Sequence, residues 1–160
     1  EAFQLTNFLR DVREDVVDRD RIYLPQTTLD RHGVASDQVT RFEFSEGFAA
    51  AMREELRRTE ALYREGVAGI RHLPEDCQFA VLLAAVLYAD YHRVIRERGH
   101  DVLTSEPSLG TVRKLSLLAR TRWQWRRTRD PETVFRRVTT VSSPEQRRSD
   151  AKPGDTLPAR

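Results

Sequence analysis

The sequence predicts an all-helical fold organised as one bundle. Three observations carry this: apolar residues recur at three- and four-residue spacing in every long segment, no stretch alternates apolar and polar side chains as a half-buried strand would, and no internal repeat divides the chain. A composition of 39% hydrophobic and 32% charged residues belongs to a soluble globular class. A chain of 160 residues buries roughly two-thirds of the surface it exposes when unfolded, enough for a single core. No apolar run approaches the length of a membrane span.

Residues 1–18 read as one amphipathic helix, with Leu5, Phe8, Leu9, Val12 and Val16 forming the apolar stripe. Pro25 forces Leu24 toward an extended conformation, so Arg21 to Pro25 is a structured connection. Thr28 to Gly33 is a short helical turn closed by the glycine. Ser45 caps a long helix reaching about Ile70, with Phe48, Met52, Leu56, Leu62 and Tyr63 turned inward. Pro74, Glu75 and Asp76 open the next helix, which runs to Gly99. Its centre, Ala80 to Leu87, is apolar nearly all round and is expected deep in the bundle. Leu109 to Trp125 supports a last helix, after which four prolines and a Ser/Thr/Arg-rich composition predict disorder from about residue 130. The expected organisation is a helical domain over 1–128 and a disordered basic tail over 129–160.

The net charge of +2 is the sum of two unlike parts. Residues 113–160 hold 13 Lys/Arg against 5 Asp/Glu, which leaves 14 against 20 for residues 1–112. The basic end suits an anionic lipid surface or nucleic acid, and equally an ordinary solvated extension. Cys77 is the only cysteine, which excludes an intrachain disulfide and a cysteine metal cluster and is compatible with a reducing cytoplasm. Glu1 to Leu5 is already helix-like without a preceding cap, so the sequence is expected to begin inside a helix of a longer protein.

Turning the first helix by 100° per residue gathers Gln4, Asn7, Asp11, Glu14, Asp15 and Asp18 into one stripe apart from the apolar one, with no lysine or arginine inside it. A row of oxygen donors suits a hard cation such as Mg²⁺, which takes oxygen ligands and is typically held by one or two carboxylates plus substrate phosphate. Asn7, Asp11 and Asp15 stand at successive i+4 positions. The plain alternative is a solvated acidic face. Arg10 beside the stripe can reach a phosphate or pair with Glu14.

The run Gln4-Leu-Thr-Asn7-Phe-Leu-Arg10-Asp11-Val-Arg-Glu14-Asp15, followed by Arg21-Ile-Tyr23-Leu-Pro25, resembles the second aspartate-rich motif of the squalene and phytoene synthases, and the phytoene synthase form most. The likeness continues through Leu87-Tyr88 and Gly99-His100-Asp101-Val102 to Arg113-Lys114-Leu115, covering about residues 1–120. It implies an all-α bundle of the isoprenoid synthase type, of which this chain is the C-terminal half. It further implies that Asn7, Asp11 and Asp15 hold Mg²⁺, or Mn²⁺ in its place, that Asp11 and Asp15 are the catalytic carboxylates through that metal, and that Gln4, Arg10, Arg21 and Tyr88 contact a prenyl diphosphate.

The reaction implied is the head-to-head condensation of two geranylgeranyl diphosphates, through a cyclopropyl diphosphate, to phytoene in carotenoid biosynthesis. The lipid-soluble product implies a cytoplasmic enzyme working peripherally at a membrane. Related enzymes use farnesyl diphosphate to give presqualene diphosphate or dehydrosqualene, and a non-catalytic helical relative acting as a binding module is a further alternative. Two departures stand out: Gly99-His100 replaces the family's usual Asn-Tyr, and Leu103 to Glu106 lacks the arginine usual there. The first aspartate-rich motif is absent, so this chain alone is expected to be inactive and to need an N-terminal half. A nucleic-acid reading of Arg120, Arg122, Trp123, Trp125, Arg126 and Arg127 is set aside, because those residues also make an ordinary amphipathic helix end.

Overall fold

The computed structural model describes residues 1–141. Among them are eight α-helices: α1 (Ala2–Arg10), α2 (Val12–Arg19), α3 (Gln26–Arg31), α4 (Ser36–Thr40), α5 (Glu46–Gly69), α6 (Glu75–Glu97), α7 (Thr111–Thr128) and α8 (Pro131–Val138), with a 3-10 turn at Ile70–His72. No described residue is in a strand, and no described helix is long and apolar enough to cross a membrane.

The long helices start where their residues dictate. The Ser45 side chain accepts a hydrogen bond from the Phe48 N–H and caps α5, with Phe48, Met52, Leu56 and Tyr63 buried as expected. Gly47 is required by close approach, since a Cβ there would stand 2.5 Å from the His32 carbonyl oxygen. Pro74 is the residue before α6, and Glu75 and Asp76 lie in its first turn.

Three expectations change. The opening helix is interrupted at Asp11, whose ψ of 20° ends α1 and begins α2. The centre of α6 is buried on one side only: Leu82, Ala85 and Val86 are buried, Val81, Leu83 and Leu87 half-buried and Ala80 exposed. Order also continues past residue 130. Arg129 takes a left-handed turn, Asp130 caps α8 by accepting the Thr133 N–H at 2.9 Å, and Pro131 occupies the first turn, where its missing N–H costs nothing. Val134, Phe135, Val138 and Val141 bury themselves against α5 and α6. The helical body therefore runs to at least Val141 rather than 128, and the part of the expected tail beyond it lies outside the described residues.

The core has two parts. One gathers Leu9, Val12, Leu29, Phe48, Met52, Leu56 and Ile95, and the other Tyr63, Val67, Leu82, Val86, Leu117, Trp125 and Phe135. Along α1, α5 and α6 alike, the residues between them are polar: Thr6, Glu60 and His92. Thr6 donates its hydroxyl hydrogen to the Ala2 carbonyl at 3.0 Å and so accepts from the Tyr63 hydroxyl at 2.9 Å and from His92 Nε2 at 3.0 Å. His92 Nδ1 lies 3.5 Å from Glu60 Oε1, and Arg96 donates to the same carboxylate. A polar layer thus crosses the bundle where the two apolar parts meet.

Candidate active site

The interruption at Asp11 leaves the acidic face intact. The Asp11 N–H donates to the Asn7 carbonyl at 2.8 Å, and the Asp15 N–H donates to the Asp11 carbonyl at 2.8 Å. Two consecutive i to i−4 bonds therefore carry the helical repeat through the break, and Asn7, Asp11 and Asp15 stay in register on one side. The opposite side is pinned to the core by Leu9 and Val12. Asp20, in the left-handed region at φ 51°, ends α2, and Arg21 lies exposed just beyond it, its N–H donating to the Asp15 carbonyl at 3.2 Å.

The three oxygen-bearing side chains have different surroundings. Asn7 Oδ1 is buried without a hydrogen-bond partner, an uncommon condition for a buried amide oxygen. Asp11 accepts two hydrogen bonds from Arg10, at 2.5 Å and 2.6 Å. Asp15, only 4% exposed, is paired with Arg19 one turn on. Arg10 therefore binds its neighbour rather than Glu14. Its guanidinium also lies 4.8 Å from the Tyr91 ring centre. The hydrogen bond to Asp11 raises the affinity of Arg10 for its proton, outweighing the cost of partial burial.

Aromatic rings continue the wall. Tyr88 is half-buried with its ring 4.9 Å from Phe3 and 6.4 Å from Tyr91, and Phe3 lies 5.9 Å from Tyr63. Beside Phe3, an apolar hollow of about 360 Å³ opens between α5 and α6, lined by Leu62, Tyr63, Val81 and Ala85. Phe8 stacks on Tyr23 at 4.5 Å instead of joining this wall.

Of the residues singled out from sequence, Asn7, Asp11, Asp15 and Arg10 are gathered at one place, and Tyr88 lies on the adjoining aromatic wall. Gln4 and Arg21 are exposed on either side of them. Sequence reasoning missed Tyr91, the residue that meets Arg10. Its signal was the three-residue step from Tyr88, which places both on one side of α6. It also missed Asp90, whose carboxylate binds Arg113 at 2.6 Å and 2.9 Å and Arg93 at 3.2 Å and 3.3 Å, tying α7 to α6. Burial pushes the Asp90 carboxyl up, but the two arginines outweigh it and hold it below the ordinary carboxylate range. At the second departure from the family pattern, Asp101 accepts the Leu103 and Thr104 N–H groups at 3.0 Å and 2.9 Å, and Arg98 donates to the Ser105 carbonyl at 3.0 Å.

No group of three His, Cys, Asp or Glu among the described residues is arranged to hold a metal. The set that fits a hard cation is two carboxylates and one amide: three oxygen donors in register, one of them a buried oxygen lacking a donor.

The all-helical bundle, with its oxygen-donor face set beside an arginine and an aromatic wall, is consistent with the isoprenoid synthase type of fold expected from the sequence. The chain belongs to the squalene/phytoene synthase family, whose model matches residues 1–127. It is 39% identical to a phytoene synthase of Thermus thermophilus over 118 residues, covering 74% of this chain and 40% of that one. It is 34% identical to a 15-cis-phytoene synthase of Synechococcus elongatus, covering 73% and 38%, and 30% identical to a chloroplastic phytoene synthase of Daucus carota, covering 71% and 28%. The chain thus spans two-fifths or less of the length of these curated relatives. No solved structure matches it.

Proposed function

We propose that the protein containing this chain is a prenyltransferase of carotenoid biosynthesis that condenses two geranylgeranyl diphosphates head to head to phytoene. The observation that carries the reading is the unbroken register of Asn7, Asp11 and Asp15 beside Arg10. Three relatives with phytoene synthase activity in their names support it. Asn7, Asp11 and Asp15 would hold Mg²⁺, which when bound supplies Lewis-acid stabilisation of the departing diphosphate.

The chain's own residues then have definable tasks. Asp11 and Asp15 place negative charge and donor oxygens on one face without acting as nucleophiles. Arg10, with no path to deprotonation, offers a permanent cation to phosphate oxygens once it exchanges Asp11 for the ligand. Phe3, Tyr88 and Tyr91 line the approach with ring faces that exclude water and favour cationic carbon over it. The apolar hollow beside Phe3 takes hydrocarbon.

The test uses the full-length natural protein with geranylgeranyl and farnesyl diphosphates. Phytoene formed only with Mg²⁺ or Mn²⁺, and lost in Asp11→Ala and Asp15→Ala, supports the proposal. Turnover that survives chelation, or both substitutions, refutes the metal role. One observation favours a second reading, a non-catalytic binding module: both carboxylates already have an arginine partner close in sequence, Arg10 for Asp11 and Arg19 for Asp15. Tight binding of prenyl diphosphate with no product formed would establish it.

A further inference from the structure

Between α5 and α6 lies a groove of about 450 Å³ whose walls are rich in cations. Arg53 and Arg57, on α5, line one wall, and Arg96 and His100, at and just beyond the end of α6, line the other. Advancing about 100° per residue along α6 puts Arg93 and Arg96 on the far side of that helix from Tyr91, the residue that meets Arg10. Carboxylates do not saturate these walls. Buried Glu60 takes Arg96, and Glu97 takes Arg93. Arg53, by contrast, is paired with Glu46, whose side chain is 82% exposed, and Arg57 has no partner among the described residues. His100 stands in the left-handed region at φ 70°, which residues with a Cβ seldom adopt. Burial, together with Arg53 and Arg96, holds its imidazolium below the ordinary histidine value, with Glu46 and the Gly99 backbone pulling the other way.

We propose that this groove is a binding site for a small diphosphate-bearing anion that carries no prenyl chain. Arg53 and Arg57 stand at i and i+4, where like charges repel, and across the groove Arg53 and Arg96 both oppose a proton on His100. An anion between the walls relieves both conflicts. Guanidinium forks suit phosphate oxygens, and cations on two facing walls suit an ion charged at both ends, which orthophosphate is not. A prenyl chain has no seat here, because Leu56 is the one apolar residue among those lining the groove and it is fully buried. Glu60 and His92 stand between Arg96 and Thr6 of α1, so the groove is separate from the oxygen-donor face. Free inorganic diphosphate and a nucleoside diphosphate share the required chemistry. The inference comes from α5 and α6 and does not rest on the reaction proposed above.

The experiment is calorimetric titration of the full-length protein, freed of divalent ions on a chelating resin, with inorganic diphosphate. Binding is expected, about tenfold tighter than that of orthophosphate. Arg53→Gln/Arg57→Gln should weaken it about tenfold, and so should Arg57→Gln/His100→Asn, which takes one basic group from each wall and keeps a residue that tolerates the left-handed region. The three positions are exposed or half-buried, and an unchanged Tm confirms that both variants fold. Arg10→Gln should leave the affinity unchanged, which separates the groove from the candidate active site. Adenosine diphosphate binding as tightly as the inorganic ion identifies a nucleotide as the occupant, and weaker binding identifies the free ion. Absence of metal-free binding overturns the proposal. So does affinity undiminished in both double variants. Binding that disappears in Arg10→Gln also overturns it, since the ion then sits beside Asp11 and the reading of that site stands.

Discussion

The first helical stretch presents two polar regions one residue apart, and they are built on opposite principles. Thr6 points into the bundle, where Tyr63, His92, Glu60 and Arg96 form a layer across α1, α5 and α6 in which only His92 Nδ1, 3.5 Å from Glu60, lacks a hydrogen-bond partner. Asn7 begins the other region, where Asp11 and Asp15 are held by arginines near them in sequence, Arg10 and Arg19, and the Asn7 amide oxygen has no donor at all. Polar groups that share partners across three elements make the fold specific, because losing one strands the others in a dry interior. Polar groups paired only with sequence neighbours leave the fold unchanged when a ligand takes those partners away. The difference is the one expected between a scaffold and a site.

The sharpest way to break this comparison is Asp11→Ala. If the outer region is the site, the full-length protein should lose about 10²–10³ in kcat while its thermal midpoint stays nearly where it was. A fall in Tm without a fall in kcat would put Asp11 with the scaffold. Glu60→Ala should do the reverse. It leaves Arg96 and His92 facing an empty buried position and should cost about 3 kcal/mol in urea-induced unfolding, with kcat per folded molecule little changed.

Acid titration sharpens the contrast by a smaller step. Burial holds the His92 imidazolium below the ordinary histidine value, even though Glu60 pulls the other way. Burial pushes the Glu60 carboxyl up, yet His92 and Arg96 outweigh it and keep it below the ordinary range. Both shifts are depressions, so the unfolded chain binds more protons than the folded one and stability falls as pH drops. The His92 contribution should begin to disappear below about pH 6.5, and that of Glu60 below about pH 4.5. In His92→Gln the upper loss should vanish while the lower remains, as chemical denaturation at each pH would show. The smallest effect belongs to Arg19→Gln. Arg19 is half-exposed and pairs only within its own turn, so unfolding should not register its loss. A large destabilisation would mean that the outer region also holds the bundle together.

The helices with regular apolar spacing were legible in the sequence because their caps are chemical: Ser45 before α5, and Pro74 with two acids at the start of α6. So was the acidic face, since side-chain direction on a helix follows from position alone. The break at Asp11 was not, because no proline or glycine marks it and the bonds on either side of it are kept. Helix α8 was missed for the opposite reason. Pro131 reads as a stop after α7, but a proline in a first turn is equally a start, and Asp130 before it was the cap that should have decided. Burial around the α6 centre depends on what packs there, and hydropathy states only that something apolar should. The polar layer was hidden because Thr6, Glu60 and His92 are far apart in the chain and each looks like an interruption of its own stripe.

That layer also works as a ruler. If α1 slid along α6 by one turn, about 5.4 Å, Thr6 would leave both Tyr63 and His92, and no neighbouring residue of α1 carries a hydroxyl to replace it. Intermediate slips fare no better, so longitudinal positions of the two helices are discrete and only one is satisfied. The height of Arg10 against Tyr91 is thereby set by a hydroxyl one turn away, buried in the bundle and out of reach of either side chain.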